Sequence, residues 1–179
     1  NLYDGKTYTV SSDKTVTVTI PAAKDGGTVV LRADKKINLD ITVPGKDFQE
    51  VIDTIDAVGD TAKINVTMPD TTKVPAEVFN GMIGKDITIT FKLSDNVSWI
   101  VNGKNIVSKL KDAIDLGVTV GKSSIPADKI KALAGDNKTI ELSLAHDGAF
   151  GFDATLRVNV GAENSGKYAN LYYYNEKTG

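Results

Sequence analysis

Apolar and polar residues alternate along most of this chain, and the alternation is cleanest between Lys85 and Gly103. Ile87, Ile89, Phe91 and Leu93 interleave with Thr88, Thr90 and Lys92, the period of two that gives a strand one apolar and one wet face. Ser94-Asp95-Asn96 supplies turn residues, and Val97 to Val101 runs back to a second turn at Asn102-Gly103, so the stretch predicts a hairpin. The same pattern returns 51 residues later without a gap. Val74-Pro75-Ala76-Glu77 matches Ile125-Pro126-Ala127-Asp128, Gly84 matches Gly135, and Ile87, Ile89, Phe91 and Leu93 match Lys138, Ile140, Leu142 and Leu144. Trp99 falls on Phe150, and both are expected in the core. An internal duplication of residues 74–101 and 125–152 follows, each copy reading helix, strand and return strand.

Upstream, strands are predicted over 6–10, 14–20, 28–33 and 37–43, punctuated by Pro21, Asp25-Gly26-Gly27 and Pro44-Gly45. Asp47 to Val58 changes period: Phe48, Val51, Ile52 and Ile55 fall on one helical face, with Asp47 placed to cap the start and Gly59 the end. Ala62, Ile64, Val66 and Met68 alternate again. The resulting strand–helix–strand unit commonly sets its two strands parallel. Val74-Pro75 opens a second short helix and Pro126 a third, ending at Gly84 and Gly135. Residues 105–114 fit either loop or helix, and strands are expected near 138–145, 149–160 and 167–174. The fold class is α+β, mostly β: twisted sheets in a sandwich-like arrangement with three short helices. The chain reads as a single module, 1–179, with a subdivision near Pro69 to Lys73 separating a β-rich part from the duplicated part.

Charge and composition remove several functions. A net charge of −2 argues against nucleic acid as a partner, which needs a basic surface. The absence of cysteine excludes thiolate metal sites, thiol nucleophiles and disulfides. No run approaches the roughly 18 apolar residues of a membrane span, so membrane insertion is not expected. No Gly-x-Gly-x-x-Gly or Gly-Lys-Ser/Thr loop supports nucleotide binding, and no cofactor is expected.

His146, the sole histidine, sits in a turn beside Asp147-Gly148; Ser143 nearby lacks a nucleophile elbow, so a structural role outweighs catalysis. The carboxylates fall in turns, caps and outward strand positions, which suits solvated surface better than a glycosidase pair. Asp13, Asp95-Asn96 and Asp136-Asn137 offer oxygen ligands without the spacing of a calcium loop. The tyrosines are more informative. In a strand over 167–174, Tyr168, Asn170, Tyr172 and Tyr174 share one face and Ala169, Leu171 and Tyr173 the other. With the second set buried, the first forms a row of rings and an amide of the kind that stacks on sugars. The alternative is that these rings pack against a neighbouring sheet or module.

The last part of the chain also resembles a family. Trp99-Ile100-Val101-Asn102-Gly103-Lys104, Leu142 to Gly148, Gly151 to Leu156 and Gly166-Lys167-Tyr168-Ala169-Asn170-Leu171-Tyr172-Tyr173-Tyr174-Asn175 resemble β-rich modules of large secreted proteins from gut and rumen clostridial-type bacteria. Such modules often stand beside dockerin, cohesin or S-layer-homology segments, as in cellulosome proteins. The resemblance covers roughly 71–179, with 1–70 matched loosely. It implies a secreted or cell-surface setting and a monomeric module, and assigns no activity. The expected function is therefore a non-catalytic module for polysaccharide binding or adhesion. The alternative is a structural spacer contacting neighbouring protein modules, with an enzyme third for want of any convergent polar constellation.

Overall fold

The computed structural model describes residues 37–174, which belong to one compact unit, Lys36–Gly179. The strands expected over 6–10, 14–20 and 28–33 lie outside the described residues. The architecture of the described residues is α+β and mostly β, with several sheets in a sandwich-like arrangement and three short helices.

A five-stranded sheet organises it. Strand β1 (Ile37–Thr42) lies beside β2 (Thr61–Thr67), which lies beside β4 (Asp86–Lys92), all parallel. Then β5 (Val97–Asn102) and β9 (Ala154–Val158) continue the sheet antiparallel. The parallel steps need crossovers, and the two helices expected there supply them. Helix α1 (Gln49–Ala57) follows β1, and α2 (Ala76–Met82) follows β2. The N-cap position itself falls on Phe48, which makes no side-chain cap bond; Asp47, expected to cap the helix, stands one residue further out and its carboxylate accepts from the Gln49 N–H (2.9 Å). Because β2 pairs with β4, the connection at Pro69 to Lys73 runs within one sheet-building unit and joins its two sides.

The period-two pattern decides which side of the sheet is covered. Ala62, Ile64 and Val66 of β2, Ile87, Ile89 and Phe91 of β4 and Trp99 and Val101 of β5 all point to one face, where α1 and α2 supply Val51, Ile55, Val78, Phe79 and Met82. Phe79 and Phe91 meet at 5.8 Å between ring centroids, within the range of favourable tilted pairs. Burying such side chains, each on the order of 1.5–3 kcal/mol, fixes the register, since a one-residue slip would turn the apolar set to water.

Two small ribbons accompany this sheet among the described residues. β3 (Lys73–Val74) pairs with β6 (Ile114–Asp115), and β7 (Val118–Val120) with β8 (Leu142–Leu144). The stretch that fitted either loop or helix, 105–114, is irregular over 106–113, between a 3-10 turn at Gly103–Asn105 and β6. Asn80 of α2 holds it: its amide donates to the Leu110 carbonyl (3.0 Å) and its carbonyl accepts from the Leu110 N–H (2.8 Å). This two-way bond stands in for the missing helical ladder. At the end of β5, Gly103 is buried and its carbonyl accepts from the Gly84 N–H (3.0 Å). A side chain there would overlap the Met82 carbonyl, so this glycine is needed for space.

The duplication is partly expressed. Helix α3 (Ala127–Ala134) repeats α2 at the 51-residue offset, each led by an extended proline (Pro75 φ −59°, Pro126 φ −58°). Each is followed by a glycine of positive φ, Gly84 at 74° and Gly135 at 60°. After the helix the copies diverge. Residues 138–144 give only the three-residue β8, which pairs outside the main sheet, where the first copy gives the seven-residue β4. Ile89 and Phe91 are fully buried, while their counterparts Ile140 and Leu142 are exposed and half-buried. The repeats still meet: Trp99 and its counterpart Phe150 stand edge to face at 5.2 Å, and the Trp99 indole N–H donates to the Leu116 carbonyl (2.8 Å).

The strand expected over 167–174 is not formed. These residues are irregular, and Leu171 and Tyr173, expected in the core, are each 91 % exposed. A strand requires a neighbouring ladder for its N–H and C=O groups, and none of the described strands pairs with this segment. Its alternation is a pattern without a partner.

Candidate ligand-binding face

Among the described residues, no helix covers the far side of the five-stranded sheet. Following the register across the strands, its side chains fall into rows. Asp40, Asn65, Thr90, Ile100 and Thr155 form one row; Thr42, Thr67, Lys92, Ser98 and Arg157 form the next. A third contains Asn38, Lys63, Thr88 and Asn102. Five strands at about 4.8 Å spacing make this a surface roughly 19 Å across. Apart from Ile100 it is built of hydroxyls, amides and charges, and most of these side chains are exposed or half-buried.

Hydrogen bonds between strands pre-order part of it. Asn65 donates to the Asp40 carboxylate (2.8 Å), and Asn102 donates to Asp86 (3.0 Å) and to the Thr88 hydroxyl (2.9 Å). Lys104 pairs with Asp86 at 3.1 Å. Held side chains lose less freedom on binding a ligand, which favours recognition.

At the end of the face, where β2 and β4 finish, a groove of about 950 Å³ opens. Asn65, Thr67, Thr90, Lys92, Ser98 and Arg157 line it, with the β4–β5 turn at its margin. This volume is at the upper end for ligand clefts. A smaller hollow of about 380 Å³ lies near the start of α2, where Lys46, Lys73 and Lys111 mix with Glu77 and Asp112. Charges of both signs compensate there, and the hollow has no directional preference of its own.

The tyrosine set fares differently. Tyr168 is fully exposed, Asn170 is exposed, Tyr172 is 57 % exposed and Tyr174 is half-buried. Without a strand, no alternation places the four on one side, and the expected ladder of rings is not formed. His146 stacks on Phe150 at 4.8 Å between centroids, and its Nε2 lies 3.4 Å from the Ala149 carbonyl oxygen, as suits a turn residue. Among the described residues, no three of His, Cys, Asp and Glu are grouped to hold a metal ion.

Two carboxylates among the described residues are held below their usual range: exposed Glu163, chiefly by its hydrogen bond from Lys138, and the more enclosed Asp115. Asp115 accepts from the Thr72 hydroxyl (2.6 Å) and the Gly117 N–H (3.0 Å), and its pKa is held below the usual 3.8, chiefly by the Thr72 bond. It joins the β3–β6 ribbon and is structural. The polar sheet face was visible in sequence as the wet half of each alternation. Its signal as a site is the recurrence of that half at 25-residue steps: Asp40, Asn65 and Thr90, then Thr42, Thr67 and Lys92.

No protein-family model matches the chain, and neither a curated protein nor a solved structure matches it.

Proposed function

We propose that this is a non-catalytic binding module of a secreted or cell-surface bacterial protein, and that its ligand is a polysaccharide held on the open polar face of the five-stranded sheet. The observation that carries this reading is the alignment of Thr and Asn side chains in register across the sheet, on a surface that no described helix covers. Hydroxyl and amide groups match sugar hydroxyls as donors and acceptors, and a flat array suits an extended chain better than a closed pocket does. The extracellular setting rests on the resemblance of residues 71–179 to modules of secreted proteins. No described helix is long and apolar enough to cross a membrane.

Affinity electrophoresis against plant polysaccharides and starch tests the reading. A retarded band is expected on at least one glycan, and the double substitution Asn65→Ala, Thr90→Ala should abolish the retardation while the thermal midpoint stays within a few degrees. Retardation unaffected by that pair would refute the assignment to this face.

A specific observation favours a second reading, a spacer that contacts neighbouring modules. Leu133, Leu144, Leu171 and Tyr173 are large, apolar and exposed, all beyond the main core. Apolar side chains left exposed in the second half of the chain are available for contact with a neighbouring module.

A further inference from the structure

We infer that the groove at the end of the polar face recognises an acidic polysaccharide, a polymer bearing uronic acid carboxylates, and that Lys92 and Arg157 together grip one carboxylate across Ser98. This deepens the binding reading above and rests on it. The sheet register is the basis. Lys92 of β4 is paired with Ser98 of β5, and Ser98 with Arg157 of β9, so the two cations stand on the same face two strands apart. At about 4.8 Å per strand their Cα atoms are roughly 10 Å apart, within the combined reach of two long stems converging on one anion. Both side chains are exposed, and neither makes an ion pair with any described residue. Between them Ser98 presents a hydroxyl at the floor of the groove, 9 % exposed.

Arg157 offers a planar fork that matches a carboxylate in two parallel bonds, and Lys92 adds a point charge. The surroundings select among anionic polymers. Thr67, Thr90 and Asn65 adjoin the cations with neutral donors and acceptors, as a sugar ring with hydroxyls requires. Asp40 and Asp86 on the same face and Asp95 at the groove margin confine the positive charge to this one pair, so it grips a single carboxylate while hydroxyls and amides contact the rest of the polymer. Two cations amid hydroxyls and amides suit a carboxylated glycan.

Binding of the full chain to polygalacturonate, to its methyl-esterified form, to neutral galactan and to a single-stranded oligonucleotide tests the inference. Polygalacturonate is expected to bind at least tenfold more tightly than the esterified polymer. Lys92→Met and Arg157→Gln are each expected to remove most of that preference, about tenfold or more, while circular dichroism and the thermal midpoint are unchanged. Arg157→Lys should restore part of it. Neutral galactan binding as tight as polygalacturonate would overturn the acidic preference and leave the sheet-face reading standing. Polygalacturonate binding that survives both substitutions, or tighter binding of the oligonucleotide, also overturns it. No binding to any glycan overturns both readings together.

Discussion

Gly103→Ala is the substitution whose outcome the packing dictates most closely. Gly103 has no unusual φ, so the added methyl meets no backbone strain of its own. It meets atoms. The new Cβ would overlap the Met82 carbonyl oxygen and stand 2.7 Å from that of Lys85, where an unstrained contact needs about 3.5 Å. Both obstacles are backbone, and Met82 is itself tied down by accepting the Lys85 N–H at 2.9 Å. The end of β5 must therefore move away from α2, stretching the 3.0 Å bond from Gly84 to Gly103. Overpacking of a tight core costs about 1–3 kcal/mol, and a lost backbone hydrogen bond adds roughly 1 kcal/mol. A loss of about 2–4 kcal/mol is expected. Trp99 is the sole tryptophan, 5 % exposed, and lies in β5, the strand that leads into Gly103. Its fluorescence in a urea titration reads the loss as a lower midpoint at constant slope. A change below about 0.5 kcal/mol would show that the close approach of β5 to α2 is wrong.

Trp99→Phe removes the indole donor and leaves the Leu116 carbonyl without its 2.8 Å partner, so a loss of about 2–3 kcal/mol is expected by circular dichroism, with amide exchange rising most in 117–152. Thr72→Val should lower the stability at neutral pH. Because Asp115 has a depressed pKa in the folded state, the stability it confers is present above its unfolded value and is lost as pH falls through the folded one. The gap between parent and variant midpoints should thus be full above pH 3.8 and close below it; a gap independent of pH would refute the coupling. Tyr172→Ala should change neither glycan retardation nor, by more than about 0.5 kcal/mol, stability, since the ring is more than half exposed and belongs to no strand of the sheet. Weakened retardation with an intact midpoint would return the site to the tyrosines.

The parts of the fold that sequence made legible are those where local period and tertiary burial agree. Ile87, Ile89 and Phe91 alternate and are buried; Val51 and Ile55 lie four apart and are buried against them. Parallel pairing of β1 with β2 followed from the helix between them. The second repeat was misleading because its pattern is the same while its neighbours differ. Ile140, Leu142 and Leu144 alternate as the first copy does, yet they lie outside the main sheet and stay partly wet. Tyr168 to Tyr174 fails for the same reason: alternation states what a strand would bury and says nothing about whether a ladder is there to receive it. The polar face was legible residue by residue, but not as a surface, because Lys92, Ser98 and Arg157 come together only through register between distant strands.

That distance has a kinetic consequence. β4 and β5 are joined by the short turn 93–96, whereas β9 reaches the same sheet only after the whole stretch 103–153. Closing the longer connection costs about 2 kcal/mol more in chain entropy. The first four strands of the sheet can thus assemble ahead of the fifth, leaving β5 briefly with an open edge. During that interval β9 of another molecule can take the vacant place, so crowded refolding should yield strand-exchanged dimers that dilute refolding avoids.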